Sequence, residues 1–164
     1  ARRWAVMLER EPTPDFFIEV DALFAEEVLK SVTPLPAVRE TLASLAAGGR
    51  PLGVATNDAE ENARQQMRHL SFDRWLPFIA GYDSGHGAKP EPGMILAFAR
   101  HAGLHPAEVA LVGDTLHDMH AAKAAGALAV AVLTGLTGEA ARAQLAPHAD
   151  VVINTLDELE AALG

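Results

Sequence analysis

The chain has 164 residues, 49% of them hydrophobic and 21% charged, a balance that suits one globular domain and excludes a disordered chain. Its 22 acidic and 13 basic residues give a formal charge of -9, the wrong sign for a nucleic-acid partner or an anionic membrane surface, although a local cation can still hold a small phosphate. It has no cysteine, which removes disulfides, thiol catalysis and cysteine-zinc sites, and no apolar run approaches the ~20 residues of a membrane span, so a cytoplasmic location is the default expectation.

In chain order, residues 2–10 read as a short helical piece stopped by Pro12 and Pro14. Phe17, Val20, Phe24 and Val28 then recur at three- and four-residue steps, which predicts an amphipathic helix over 16–29. Thr33-Pro34-Leu35-Pro36 punctuates the chain. Beyond it helices and strands alternate. Helices are expected over 38–47, 58–70, 92–102, 117–125, 139–145 and 155–163, with Asp58 as an N-cap and Gly126 as a C-cap. Short apolar strands are expected over 51–55, 78–81, 108–113, 128–133 and 151–153. The alternation predicts βαβ units, hence an α/β fold with a Rossmann-like parallel sheet and helices on both faces. In such sheets ligands bind beyond the carboxyl ends of the strands, so the residues after each strand carry the chemistry.

Three strand ends stand out. After 51–55 come Thr56, Asn57 and Asp58, where a hydroxyl, an amide and free backbone N–H groups at a helix start form an anion cradle, or an ordinary N-cap. The loop 81–92 (G-Y-D-S-G-H-G-A-K-P-E-P) fixes Lys89 between glycines and prolines and carries His86 where it can touch a substrate. It is no Walker A loop, because Pro90 follows the lysine where Ser or Thr belongs, and the G-x-S-x-G of a nucleophile elbow is absent. After 108–113 stand Asp114 and, one helical turn on, Asp118, two carboxylates of the kind that hold Mg²⁺; the competing reading is helix capping. His117 and His120, three residues apart, lack a third ligand at metal-site spacing.

Taken in order, Leu52-Gly53-Val54-Ala55-Thr56-Asn57, Gly87-Ala88-Lys89-Pro90-Glu91-Pro92 and Val112-Gly113-Asp114-Thr115-Leu116-His117-Asp118 resemble motifs II, III and IV of the haloacid dehalogenase-like (HAD) superfamily. The continuation through Met119–Gly126 and Leu128–Leu133 is similar to its phosphoglycolate phosphatase-like branch. The resemblance covers residue 34 to the end. Residues 1–33 resemble the remnant of that branch's helical cap, which makes 34–164 the α/β core. Gly93 departs from the family, which often has Asp there.

The resemblance implies a Mg²⁺-dependent phosphatase of small phosphorylated metabolites working through an aspartyl-phosphate. Thr56 and the Asn57 backbone would bind phosphate oxygens. Lys89 would pair with phosphate and nucleophile, Asp114 would hold Mg²⁺, and Asp118 would support that metal site. The family's first motif, D-x-D-x-[TV], has no match: Asp15 and Asp21 lie in helical context. The chain is therefore expected to be the C-terminal portion of a longer protein, inactive alone, with its first, central strand missing between 52–55 and 108–113. Those two strands should stand about 9.6 Å apart, twice the ~4.8 Å strand spacing, with an N-terminal segment or another chain between them. The alternatives are a non-catalytic binding or regulatory module, a phosphomutase built on the same residues, or a metal-independent dehalogenase.

Overall fold

The computed structural model describes Thr13, residues 31–134 and residues 138–164. The chain divides into two compact units, residues 1–33 and 34–164. The helices expected over 2–10 and 16–29, and with them the cap remnant, lie outside the described residues.

In the second unit α1 (Val38–Ala47) leads into β1 (Gly53–Ala55), then α2 (Glu60–His69), β2 (Phe78–Ala80) and α3 (Gly93–Ala102). Next come β3 (Ala110–Gly113), α4 (Leu116–Ala125), β4 (Leu128–Val132), α5 (Arg142–Leu145), β5 (Val151–Ile153) and α6 (Leu159–Leu163). Every expected strand forms, and all pairing is parallel. Several ends are shorter than the sequence suggests. Glu108 is taken by a 3₁₀ turn, Pro106–Glu108, that His105 caps and the extended Val109 ends. The two last helices likewise begin as 3₁₀ turns, Gly138–Ala141 and Leu156–Glu158. The first residue of α2 is Glu60 rather than Asp58, because Asp58 accepts from the Ala59 N–H at 2.9 Å and stays outside the helix.

Alternation along β4 shows how the layers form. Ala129 and Ala131 face one core, with Met94 and Ile95 of α3, Met119 and Ala122 of α4, and Leu145 of α5. Val130 faces the other, with Leu45 of α1, Ile153 of β5 and Leu159 of α6. Successive strand side chains point to opposite faces, so helices cover both sides of the sheet. Alanines on β4 and α4 let helix and strand approach closely.

The strands form two separate ladders, β1 with β2 and β3-β4-β5 in that order. Strands β1 and β3 are not hydrogen-bonded to each other. A cavity of about 820 Å³ lies between them, lined by Val54, Ala55, Ala110, Val112, Phe98 and Leu45 among others. Both strands are part-exposed along their length, in contrast to the buried centre of β4.

Candidate active site

The three loops singled out in the sequence meet at the carboxyl ends of β1 and β3. Lys89 joins them. Its Nζ donates to the Ala55 carbonyl at 2.7 Å and to Asp118 Oδ1 at 2.7 Å. The pair is well covered, with side-chain exposure of 13% for Lys89 and 6% for Asp118. Asn57 grips the Lys89 backbone from both sides: its Oδ1 accepts from the Lys89 N–H at 2.8 Å and its Nδ2 donates to the Lys89 carbonyl at 2.9 Å. Thr56 stands next to Ala55, and its Oγ1 accepts from the Asp58 N–H at 3.1 Å.

The second carboxyl oxygen of Asp118 is held by Thr115, whose N–H donates at 3.1 Å and whose hydroxyl donates at 2.6 Å. Thr115 is the N-cap of α4 and Asp118 its N3 residue, a reciprocal capping box. Asp114 is therefore not the cap weighed as its structural role; it precedes the cap and is half-buried. Thr115 is the residue that sequence reasoning missed, although the Thr-x-x-Asp spacing ahead of an apolar run is the signature of such a box.

Glycine is required beside this pair. A β-carbon on Gly113 would overlap the Asp118 carboxyl group. Gly113→Ala should push Asp118 off Lys89 at a cost of about 1–3 kcal/mol. The expected result is a melting midpoint lowered by about 5 °C for a domain of this size, measured by circular dichroism. An unchanged midpoint would show that the carboxyl group does not rest on the strand.

His86 sits between Gly85 and Gly87, both in the left-handed region at φ 78°. Its carbonyl lies where a β-carbon on residue 93 would go, which is why Gly93 stands at the start of α3 and a side chain there would displace the loop. Lys89 Nζ bonds Ala55 and Asp118 rather than His86. Glu60 binds the Ser84 hydroxyl, and Asp83 Oδ1 accepts from the Glu60 N–H at 2.8 Å, so the loop is stitched to the start of α2.

Hydrogen bonds from Ser84 and Arg64 hold the Glu60 carboxyl below its ordinary value of 4.5, while bonds from Lys123 and the Ala129 N–H hold Asp150 below 3.8. A lowered folded-state pKa stabilises the fold above the ordinary carboxylate range, and that contribution is lost as pH falls through the lowered value. Thermal midpoints should thus be level down to about pH 4.5 and decline below it. Midpoints that rise on acidification would contradict these bonds.

Among the described residues no three His, Asp or Glu side chains converge as a metal cluster. His120 packs edge-on against His148 at 5.0 Å between ring centroids, a ring pair with no third ligand. Mg²⁺ needs only one or two carboxylates, completed by waters and phosphate oxygens. Asp114 fits as such a carboxylate. Asp118, with both oxygens taken by protein donors, fits as its neighbour and as the anchor of Lys89.

The profile of the family described as haloacid dehalogenase-like hydrolase matches residues 6–132. The chain belongs to that family. The matched span starts well before residue 34, where the motif resemblance begins, and takes in most of the first unit. The phosphoglycolate phosphatase of Escherichia coli strain K12 is 31% identical over 145 residues, 88% of this chain and 56% of that protein. The chain thus spans about half the length of the curated relatives it matches. A HAD family hydrolase from Deinococcus radiodurans R1, solved with bound phosphate and sodium, has a TM-score of 0.77 at 25% identity, covering 97% of this chain and 71% of its own. A HAD phosphatase from Thermococcus onnurineus has a TM-score of 0.77 at 26% identity, covering 99% and 78%. The family fold is the α/β sheet described above. No helix among the described residues is long and apolar enough to cross a membrane.

Proposed function

We propose that this chain carries the phosphate-binding and charge-neutralising part of a cytoplasmic, Mg²⁺-dependent phosphatase that hydrolyses small phosphorylated metabolites through an aspartyl-phosphate. The observation that carries it is the placement of Lys89. A covered ammonium spends two of its three donors on Ala55 and Asp118 at the carboxyl ends of β1 and β3. The third remains for an oxygen of the substrate or of the attacking acid.

The chemistry needs that cation. A carboxylate approaching a phosphate dianion meets like-charge repulsion of roughly 4 kcal/mol per charge pair at ~4 Å and an effective dielectric of 20. Lys89 offsets it from a fixed position, since Asn57 clamps its backbone and Asp118 its ammonium, leaving little reorganisation for the reaction itself. The Thr56 hydroxyl and the Asn57 N–H, at the turn into α2, donate to the phosphate oxygens. Asp114 would hold Mg²⁺, which when bound neutralises further charge on the phosphoryl group. His86 lines the approach for the rest of the substrate. The attacking acid is supplied from outside the described residues.

Purified complete gene product should hydrolyse an aryl phosphate, lose activity in EDTA and recover it with Mg²⁺. Asp114→Asn should raise the Mg²⁺ concentration needed for half-activity by tenfold or more. Full activity in EDTA would overturn the metal assignment, and no turnover with any phosphate monoester would overturn the phosphatase.

A further inference from the structure

We infer that Glu60, Asp83 and Ser84 are positioning residues: the bonds between them set the angle at which the loop 81–92 delivers Lys89 to the phosphate. The effect on turnover rests on the phosphatase reading; the tie between loop and helix does not.

An ammonium group is tetrahedral, and two of the N–H groups of Lys89 are committed to Ala55 and Asp118. The direction of the last N–H is then set by the direction from which the four-carbon stem arrives. A stem arriving at another angle turns that donor away from the substrate. Asn57 holds the residue 89 backbone by its N–H and its carbonyl, which leaves the loop free to rotate about the line joining those two bonds. A second attachment removes that rotation.

Residues 81–84 supply it, at the start of α2. Ser84 uses its hydroxyl in both directions, accepting from the Gly81 N–H at 2.8 Å and donating to Glu60. The other Glu60 oxygen accepts from Arg64 Nε at 2.8 Å, and a terminal nitrogen of Arg64 reaches the Ile79 carbonyl of β2 at 3.4 Å. Asp83 Oδ1 takes the Glu60 N–H at 2.8 Å, and the Tyr82 N–H donates to the Asp58 carbonyl at 3.1 Å. The two backbones touch: a β-carbon on Gly81 would stand 2.3 Å from the Glu60 nitrogen. Glu60 closely follows Thr56 and Asn57, so this clasp ties the loop of the cation to the turn of the phosphate donors. The Glu60 and Arg64 side chains are 32% and 37% exposed, and an ion pair so open to water adds little to stability. Its consequence falls on geometry.

Ser84→Ala in the complete gene product tests the clasp. Amide exchange at Lys89 should quicken by about tenfold, and kcat for an aryl phosphate should fall by about tenfold with KM within twofold. The melting midpoint should stay within about 3 °C of wild type. Ser84→Thr and Glu60→Gln, which retain the hydroxyl and an acceptor for it, should lose less than threefold in kcat. In a Lys89→Ala background the same Ser84→Ala change should cost less than twofold, because the group it positions is gone. Unchanged exchange at Lys89 would overturn the clasp. A full tenfold further loss without Lys89, a full rate despite faster exchange, or a loss of rate that tracks a collapsing midpoint would each overturn the positioning role. A wild-type protein that turns over no phosphate monoester would remove the phosphatase reading instead, and exchange at Lys89 would still decide the clasp.

Discussion

Lys89→Ala in the complete gene product should reduce turnover of an aryl phosphate by about 100- to 1,000-fold, the usual cost of removing one preorganised group that faces developing charge. The loss should fall on kcat more than on KM, because the ammonium matters most when nucleophile and phosphoryl group are in contact. The melting midpoint should fall too, because Asp118 loses its buried partner, but less than for the loss of Asp118 itself, since Asp118 keeps both Thr115 donors and two side chains still anchor the loop: Asn57 on the residue 89 backbone and Asp83 on the Glu60 N–H. Circular dichroism separates the two effects. A folded variant with normal rates would remove Lys89 from the chemistry.

Asp118→Ala should do the opposite and show first as instability. The substitution leaves a covered ammonium with only the Ala55 carbonyl, and breaking a buried ion pair by removing one partner costs about 3–5 kcal/mol. It also removes the carboxylate half of the capping box on α4. At roughly 2–4 °C per kcal/mol for a chain of this length, the melting midpoint should fall by about 10 °C. Asp118→Asn, which retains one acceptor for the Thr115 donors, should fall between wild type and alanine. A midpoint within 2 °C of wild type for Asp118→Ala, a drop of at most about 1 kcal/mol, would show that Lys89 does not depend on Asp118 for its place.

The helix and strand order of the second unit was readable because short apolar runs and glycine-proline punctuation mark parallel strands plainly. So were the three strand ends, since a parallel sheet sends the residues after its strands to one edge. Element ends were less legible. Asp58 looks like an N-cap from its position, yet it turns its side chain onto the next N–H and lets α2 begin at Glu60. Pairwise contacts were hardest. Residues 29 apart meet as Lys89 and Asp118, and only the closed fold shows that Asp118 holds the ammonium directly. The demand for glycine at position 93 was visible only as a departure; its cause is the backbone of His86 passing over the start of α3.

The convergence of Thr56, Lys89 and Asp114 on one phosphate is tested most directly by soaking crystals with tungstate, a heavy phosphate mimic, and locating it by anomalous scattering. The anion should lie within about 3 Å of Lys89 Nζ and Thr56 Oγ1, at the Asn57 N–H and on the Asp114 side of the sheet edge. Tungstate bound elsewhere on the molecule, with these groups left unengaged, would contradict the site.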